Sequence, residues 1–176
     1  MPRVEVTVTY LELTDPAQVR PAAGVAELDL RLVFPPVPSF NRWCYETIGR
    51  DWHWRDRLRW SDDDWARHLA RPGVRTWEIL HRGVRAGYAE LATDLEQSTE
   101  IVYFGLLPGR TGKGLGGAAL TRAIELAWGL PSRRIWLNTC TLDSPYAIAN
   151  YEARGFRRFK VVTETRELPD APGPAA

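Results

Sequence analysis

Within the stretch LPGRTGKGLGGAAL from Leu107 to Leu120, four glycines crowd positions 112–117: Gly112, Gly114, Gly116 and Gly117, with Lys113 among them. The chemistry such a stretch can do is anion binding through the backbone. Glycines let successive N–H groups turn toward one point and let a phosphate come close. A helix starting there adds its free N–H groups and the positive end of its dipole. A phosphate or pyrophosphate ligand is expected, because a tight turn alone would need only one or two of these glycines. The spacing differs from that of two familiar nucleotide loops. Gly112-x-Gly114-x-x-Gly117 matches the dinucleotide fingerprint in form, but that fingerprint needs an acidic residue about 20 positions on. Leu137, Asn138, Thr139 and Cys140 stand there. A P-loop needs Ser or Thr after its lysine, and Gly114 follows Lys113.

The elements around the loop can be read from periodicity. Val4–Leu13 and Glu27–Phe34 alternate as strands do. Residues 39–60 are aromatic-rich and helical in pieces. Ser61 and Asp64 form a capping box that starts a helix ending before Pro72-Gly73. Val74–His81 and Val84–Leu91 read as a hairpin about Arg82-Gly83. Glu100–Leu107 is the next strand, and its run Ile101-Val102-Tyr103-Phe104 reads as central and buried on both faces. Leu115–Trp128 is a helix with Leu120, Ile124 and Trp128 on one side. Arg134–Thr141 is a strand. A short helix is expected from Ser144 as N-cap and Pro145 as its first residue to a glycine cap at Gly155, with Phe156 behind it. Arg157–Arg166 is a last strand. The order predicts an α/β (α+β) fold: a mixed, mostly antiparallel sheet with helices on it, and a parallel relation between the strands flanking Leu115–Trp128. Residues 1–167 read as one domain and 168–176, rich in Pro and Ala, as a flexible tail.

Composition narrows the classes. A net charge of +1 over 176 residues gives no strongly basic face, so no nucleic-acid partner is expected. No apolar run approaches the length of a membrane span, and the N-terminus lacks a signal-peptide core, so a cytoplasmic protein is expected. Cys44 and Cys140 fit no zinc or CxxC spacing, and no His/Asp/Glu cluster has metal-ligand spacing, so no metal is expected.

Three segments together resemble the GNAT superfamily of N-acetyltransferases over about residues 74–166. TGKGLG, from Thr111 to Gly116, is similar to the family's pyrophosphate pattern [Q/R]-x-x-G-x-[G/A], with Thr111 where Gln or Arg is usual. EIVYFGL, from Glu100 to Leu106, resembles the family's central strand. SPYAIANYEARGF, from Ser144 to Phe156, resembles N-x-x-A-x-x-x-Y-x-x-x-G-F, with Ser144 in place of Asn and with Ala147, Tyr151, Gly155 and Phe156 matching. The whole chain also looks like a group of bacterial members carrying an early W-x-W-x-D-R motif, here Trp52 to Arg57.

The resemblance implies the rest. A splayed parallel strand pair would form a cleft for acetyl-CoA. Phe104, Gly105, Leu106 and Leu107 would bond its pantetheine arm. Thr111, Gly112, Lys113, Gly114, Leu115, Gly116 and Gly117 would hold its pyrophosphate, and Asn150 would touch it. Tyr151 would protonate the leaving thiolate, unless it is only a core tyrosine beside Ala147 and Ile148. Glu100 would take the amine's proton, directly or through water, unless it is a solvated carboxylate at a strand end. Tyr45, Trp52 and Trp54 could wall an acceptor pocket, although core packing accounts for such a cluster as well. Asn138 and Thr139 could touch the acceptor, an amine of a small molecule or peptide. A catalytically silent CoA-binding module and an O- or longer-chain acyltransferase are the alternatives. The oligomeric state stays open, a homodimer included.

Overall fold

The computed structural model describes residues 3–167; the expected tail at 168–176 lies outside them. Seven strands form one sheet in the order β2-β3-β4-β5-β6-β1-β7. These are β1 (Arg3–Leu13), β2 (Leu28–Leu32), β3 (Val74–His81), β4 (Val84–Thr93), β5 (Ser98–Leu106), β6 (Arg134–Cys140) and β7 (Arg157–Glu167). Every neighbouring pair is antiparallel except β5 and β6. Four α-helices complete the described chain: α1 (Pro38–Gly49), α2 (Asp62–Leu69), α3 (Leu115–Trp128) and α4 (Ala147–Ala153). Among the described residues, no helix is long and apolar enough to cross a membrane.

The helices sit where their apolar faces send them. α3 lays Leu120, Ile124 and Ala127 on one side of the sheet, against Leu11, Leu13, Leu91, Ile101, Ile135 and Leu137. On the other side Cys44 and Ile48 of α1 pack on Tyr88 of β4. Burial pushes the Cys44 thiol up to about 12, which leaves it an inert core residue. α2 starts at the expected Ser61–Asp64 capping box.

The feature that matters most for function is a failure of pairing. β5 and β6 bond over only three residue pairs, Ser98↔Arg134, Thr99↔Ile135 and Glu100↔Trp136. Just beyond, the β4–β5 register slips: Leu91 faces Ile101 but Glu90 faces Tyr103, leaving Val102 as the extra residue of a bulge. Bulges bend a strand and strengthen its twist. β5 therefore leaves β6, which goes on pairing with β1 to Cys140, and a cleft opens between them. This corrects the expectation that Ile101–Phe104 is buried on both faces. β5 is the fourth of seven strands, but of that run only Ile101 is fully buried; Val102, Tyr103 and Phe104 are half-exposed because they line the opening.

A second correction concerns the helix after β6. It begins at Ala147 with Tyr146 at its N-cap, not at Pro145 with Ser144. Ser144 instead closes the preceding turn: its carbonyl accepts from the Ala147 N–H at 2.9 Å, and its Oγ accepts from the Tyr146 N–H at 3.3 Å.

Candidate active site

The glycine loop has the conformation that its composition predicts. Gly112, Lys113 and Gly114 are successive left-handed residues, with φ of +94°, +55° and +76°. The turn brings α3 to its start at Leu115 directly behind them. Leu115 itself is committed elsewhere: its N–H donates to Gly112 O at 3.2 Å, and its side chain is buried with Ile79, Ala86 and Ala119. Among the described residues, the N–H groups of Lys113, Gly114, Gly116 and Gly117 find no backbone acceptor. A Cβ on Gly116 would meet no clash, only ordinary contact with Leu106 Cδ1 at 3.9 Å and Asn150 Nδ2 at 4.0 Å. Free N–H groups, a helix N-terminus and a surface without side chains are what a pyrophosphate requires. Asn150 projects from α4 over this surface, as expected. Lys113 is exposed and does not line the cleft, whereas Thr111 does.

From the loop a continuous cleft of about 1090 Å³ runs along β5. Phe104, Gly105 and Leu106 line it, but Leu107 does not. Leu107 packs with Ile48 and Tyr88, and its N–H donates to Ala86 O at 2.8 Å. That removes it from the groups available to a ligand. Tyr151 lies across from β5, its ring edge-on to Phe156 at 6.0 Å. Burial, reinforced by the nearby Asp143 carboxylate, raises its hydroxyl well above the ordinary tyrosine range. Tyr151 thus keeps its proton. The glycine after α4 is obligatory: Gly155 has φ +102°, and a Cβ there would meet Gln18 O at 2.0 Å. Glu100 stands where the β5–β6 pairing ends. Burial raises its carboxyl, against the pull of Arg57 and with a small push from Glu90.

The far end of the cleft is built by the segment joining α1 to α2. Trp52, His53, Trp54, Arg55, Asp56 and Arg57 all face it. The Trp54 ring lies on bare backbone, with Cη2 3.4 Å from where a Gly105 Cβ would be, while a Cβ on Gly49 would meet Trp54 Cβ at 2.5 Å. Its indole N–H reaches toward Asp143 Oδ1 at 3.4 Å, so Trp54 spans from the β5 wall to the β6 wall. Asn138 is exposed on the β6 wall. Two expected acceptor residues do not reach the cleft. Tyr45 is fully buried, its hydroxyl donating to Asp56 Oδ1 at 2.8 Å and accepting from the Arg57 N–H at 3.0 Å. Thr139, on the opposite face from Asn138, is buried and donates to Asp143 Oδ2 at 2.6 Å.

Beneath this end lies a buried polar network that the sequence reading missed. Glu90 is fully buried and accepts from both terminal nitrogens of Arg57 at 3.0 Å, from Asn41 Nδ2 at 3.2 Å, and from His68 Nε2 at 2.7 Å. Desolvation opposes ionisation of Glu90, but the His68 and Arg57 bonds outweigh it and hold the carboxyl below its ordinary value. The signal was available: an acidic residue in the apolar run AGYAELA of β4 must find buried partners.

Comparison with known proteins agrees with this geometry. The model of the acetyltransferase (GNAT) family matches residues 39–156. No curated protein matches the chain in sequence. Several solved structures share its fold. A GCN5-related N-acetyltransferase from Kribbella flavida is 18% identical over 93% of this chain and 58% of its own, with a TM-score of 0.64. A GCN5-related N-acetyltransferase from Sphaerobacter thermophilus is 13% identical over 92% of this chain and 51% of its own, with a TM-score of 0.69. The spermidine N-acetyltransferase from Vibrio cholerae, solved with CoA and spermine, is 20% identical over 74% of this chain and 81% of its own, with a TM-score of 0.59. The chain thus spans little more than half the length of the first two. The family match covers well over half of the chain and includes the bulged strand, the glycine loop and the tyrosine helix: the chain belongs to the acetyltransferase (GNAT) family.

Proposed function

We propose that the protein transfers an acetyl group from acetyl-CoA to an amine by direct attack in a ternary complex. The observation that carries this reading is one continuous cleft holding the pyrophosphate cradle, Tyr151 and Glu100 together. The loop N–H groups bind the pyrophosphate. The edge of β5 freed by the bulge bonds the pantetheine arm and directs an N–H at the thioester oxygen, where negative charge develops. Glu100, directly or through water, takes the proton from the amine as the N–C bond forms. Tyr151 gives its proton to the sulfur as the C–S bond breaks. A small-molecule amine fits the open, aromatic-walled end of the cleft, and the fold-related Vibrio cholerae enzyme carries spermine as well as CoA.

Calorimetric titration with CoA, followed by an amine screen read out as free thiol, tests the proposal. Binding that vanishes when the loop is blocked, together with amine-dependent thiol release, is expected. Absence of CoA binding would overturn it. CoA binding without thiol release from any amine would favour the silent binding module, which the departures at Thr111 and Ser144 permit.

A further inference from the structure

Among the described residues, Asp56 is the exposed carboxylate on the cleft wall that has hydrogen bonds but no countercharge. Asp56 is exposed to the cleft. Its Oδ1 accepts from the hydroxyls of Tyr45 and Tyr103, both at 2.8 Å, and its Oδ2 accepts from Tyr103 at 2.7 Å. A carboxylate offers about four lone-pair sites, so one on Oδ2 stays open. Among the described residues, no Lys, Arg or His nitrogen lies within 4.0 Å of it. The neighbouring cation, Arg57, also borders the cleft but is paired with another carboxylate. The guanidinium of Arg57 donates from both terminal nitrogens to Glu90 and lies over the rings of Trp60 and Tyr103, at 4.6 and 4.7 Å. The charge of Asp56 is held rigidly by neutral donors and faces a space walled by Trp52, Trp54 and Tyr103. Aromatic faces beside a fixed carboxylate suit an ammonium ion.

The amine that reacts must lose its proton, so a carboxylate gains no lasting partner there. Its lasting partner is an ammonium that stays charged. We infer that Asp56 anchors a second, non-reacting ammonium group, so that the protein takes diamines or longer polyamines in preference to monoamines. The inference rests on the transferase reading for its meaning, but it can be tested apart from it. Arg55 and Arg166 also line the cleft, so an acceptor ending in a carboxylate is the contrary case.

Three acceptors of one length separate these cases: 1,4-diaminobutane, butylamine and 4-aminobutyrate. Each is titrated calorimetrically into the CoA-bound protein, and thiol release from acetyl-CoA is measured in parallel. The diamine should bind about tenfold tighter than butylamine, and the difference should shrink with added salt. Asp56→Asn keeps an oxygen for the tyrosine hydroxyls; it should erase the difference with CoA affinity unchanged, and Asp56→Glu should restore part of it. Equal binding of diamine and monoamine, tightest binding of 4-aminobutyrate, or a diamine advantage that survives Asp56→Asn would each overturn the inference. If Asp56→Asn failed to fold, a wild-type advantage insensitive to salt would overturn it as well. Asp56-dependent diamine binding without thiol release would sustain the anchor and sink the transferase; acetylation of all three amines with equal binding would do the reverse.

Discussion

The two ends of the cleft are made of different material. The proposed phosphate end is backbone: left-handed residues, free N–H groups and the first turn of α3. The proposed acceptor end is side chain: Trp52, Trp54 and Asp56 held over a buried Arg57–Glu90 pair that joins positions 33 residues apart. Backbone sites leave a local mark, because only glycine supplies the conformations and the bare surface. Side-chain sites depend on which distant residues meet. Under the proposed function, the difference teaches where such a protein can change its acceptor: that end can be rebuilt without touching the loop proposed to hold CoA.

Breaking the acceptor end at its foundation should have the largest effect. Glu90→Gln removes the charge that pairs with the buried Arg57, and loss of one partner of a buried pair typically costs about 3–5 kcal/mol. Because the folded carboxyl of Glu90 is lowered, its contribution is present above the ordinary carboxylate range and is lost as pH falls through the depressed value. Denaturant unfolding should show a much less stable variant at neutral pH, with a gap from wild type that narrows in acid. A loss of only a few tenths of a kcal/mol would mean that the network does not hold this end. Next in size comes the chemistry shared by both ends. Tyr151→Phe keeps the ring on Phe156 and deletes the proposed proton donor, and should lower kcat by about 10²-fold with little change in the KM for acetyl-CoA. An unaltered kcat would leave solvent as the acid.

At the phosphate end the sharp probe is Gly116→Val. Its Cβ has room, so the fold should survive, while the side chain occupies the place of a phosphate. CoA affinity should fall about 10- to 100-fold, with Asp56-dependent effects on the acceptor unchanged. Calorimetry decides, and undiminished affinity would remove the loop from the site. Gly114 is a poorer probe, because φ +76° strains any branched side chain there.

What could be read in the sequence follows the same division. The seven strands, the hairpin at Arg82-Gly83 and the bounds of α3 were legible, since each rests on local periodicity or turn chemistry. So was the glycine loop. Burial of Ile101–Phe104 was misjudged because periodicity does not show where a neighbouring strand departs. Tyr45 was misplaced because an aromatic-rich segment gives no sign of which rings face the cleft; here Tyr45 turns inward to hold Asp56, while Trp52 and Trp54 turn outward. Asp56 and Arg57 were visible within W-x-W-x-D-R, but their roles need Tyr103 and Glu90, which are remote in the chain.

Glu100 stands where β5 leaves β6, and its substitution carries the smallest and most informative effect. Burial raises its folded carboxyl, with Arg57 opposing. The ionised form is therefore less favourable in the folded protein than in the unfolded chain. Its stability contribution is complete below the ordinary carboxylate value and is lost as pH rises through the raised one. Glu100→Gln abolishes that loss, so thermal unfolding should show a variant slightly more stable than wild type at neutral pH and indistinguishable from it in acid. The same change removes the proposed base. With water and buffer able to stand in for it, kcat should fall about tenfold near neutrality, less than the usual range for general base catalysis. The deficit should shrink at higher pH, where more of the amine is already neutral. A solvated strand-end carboxylate would predict neither change. A gain in stability with an unchanged pH–rate profile would leave Glu100 a strained residue without a catalytic role, and the proton would have to leave by water alone.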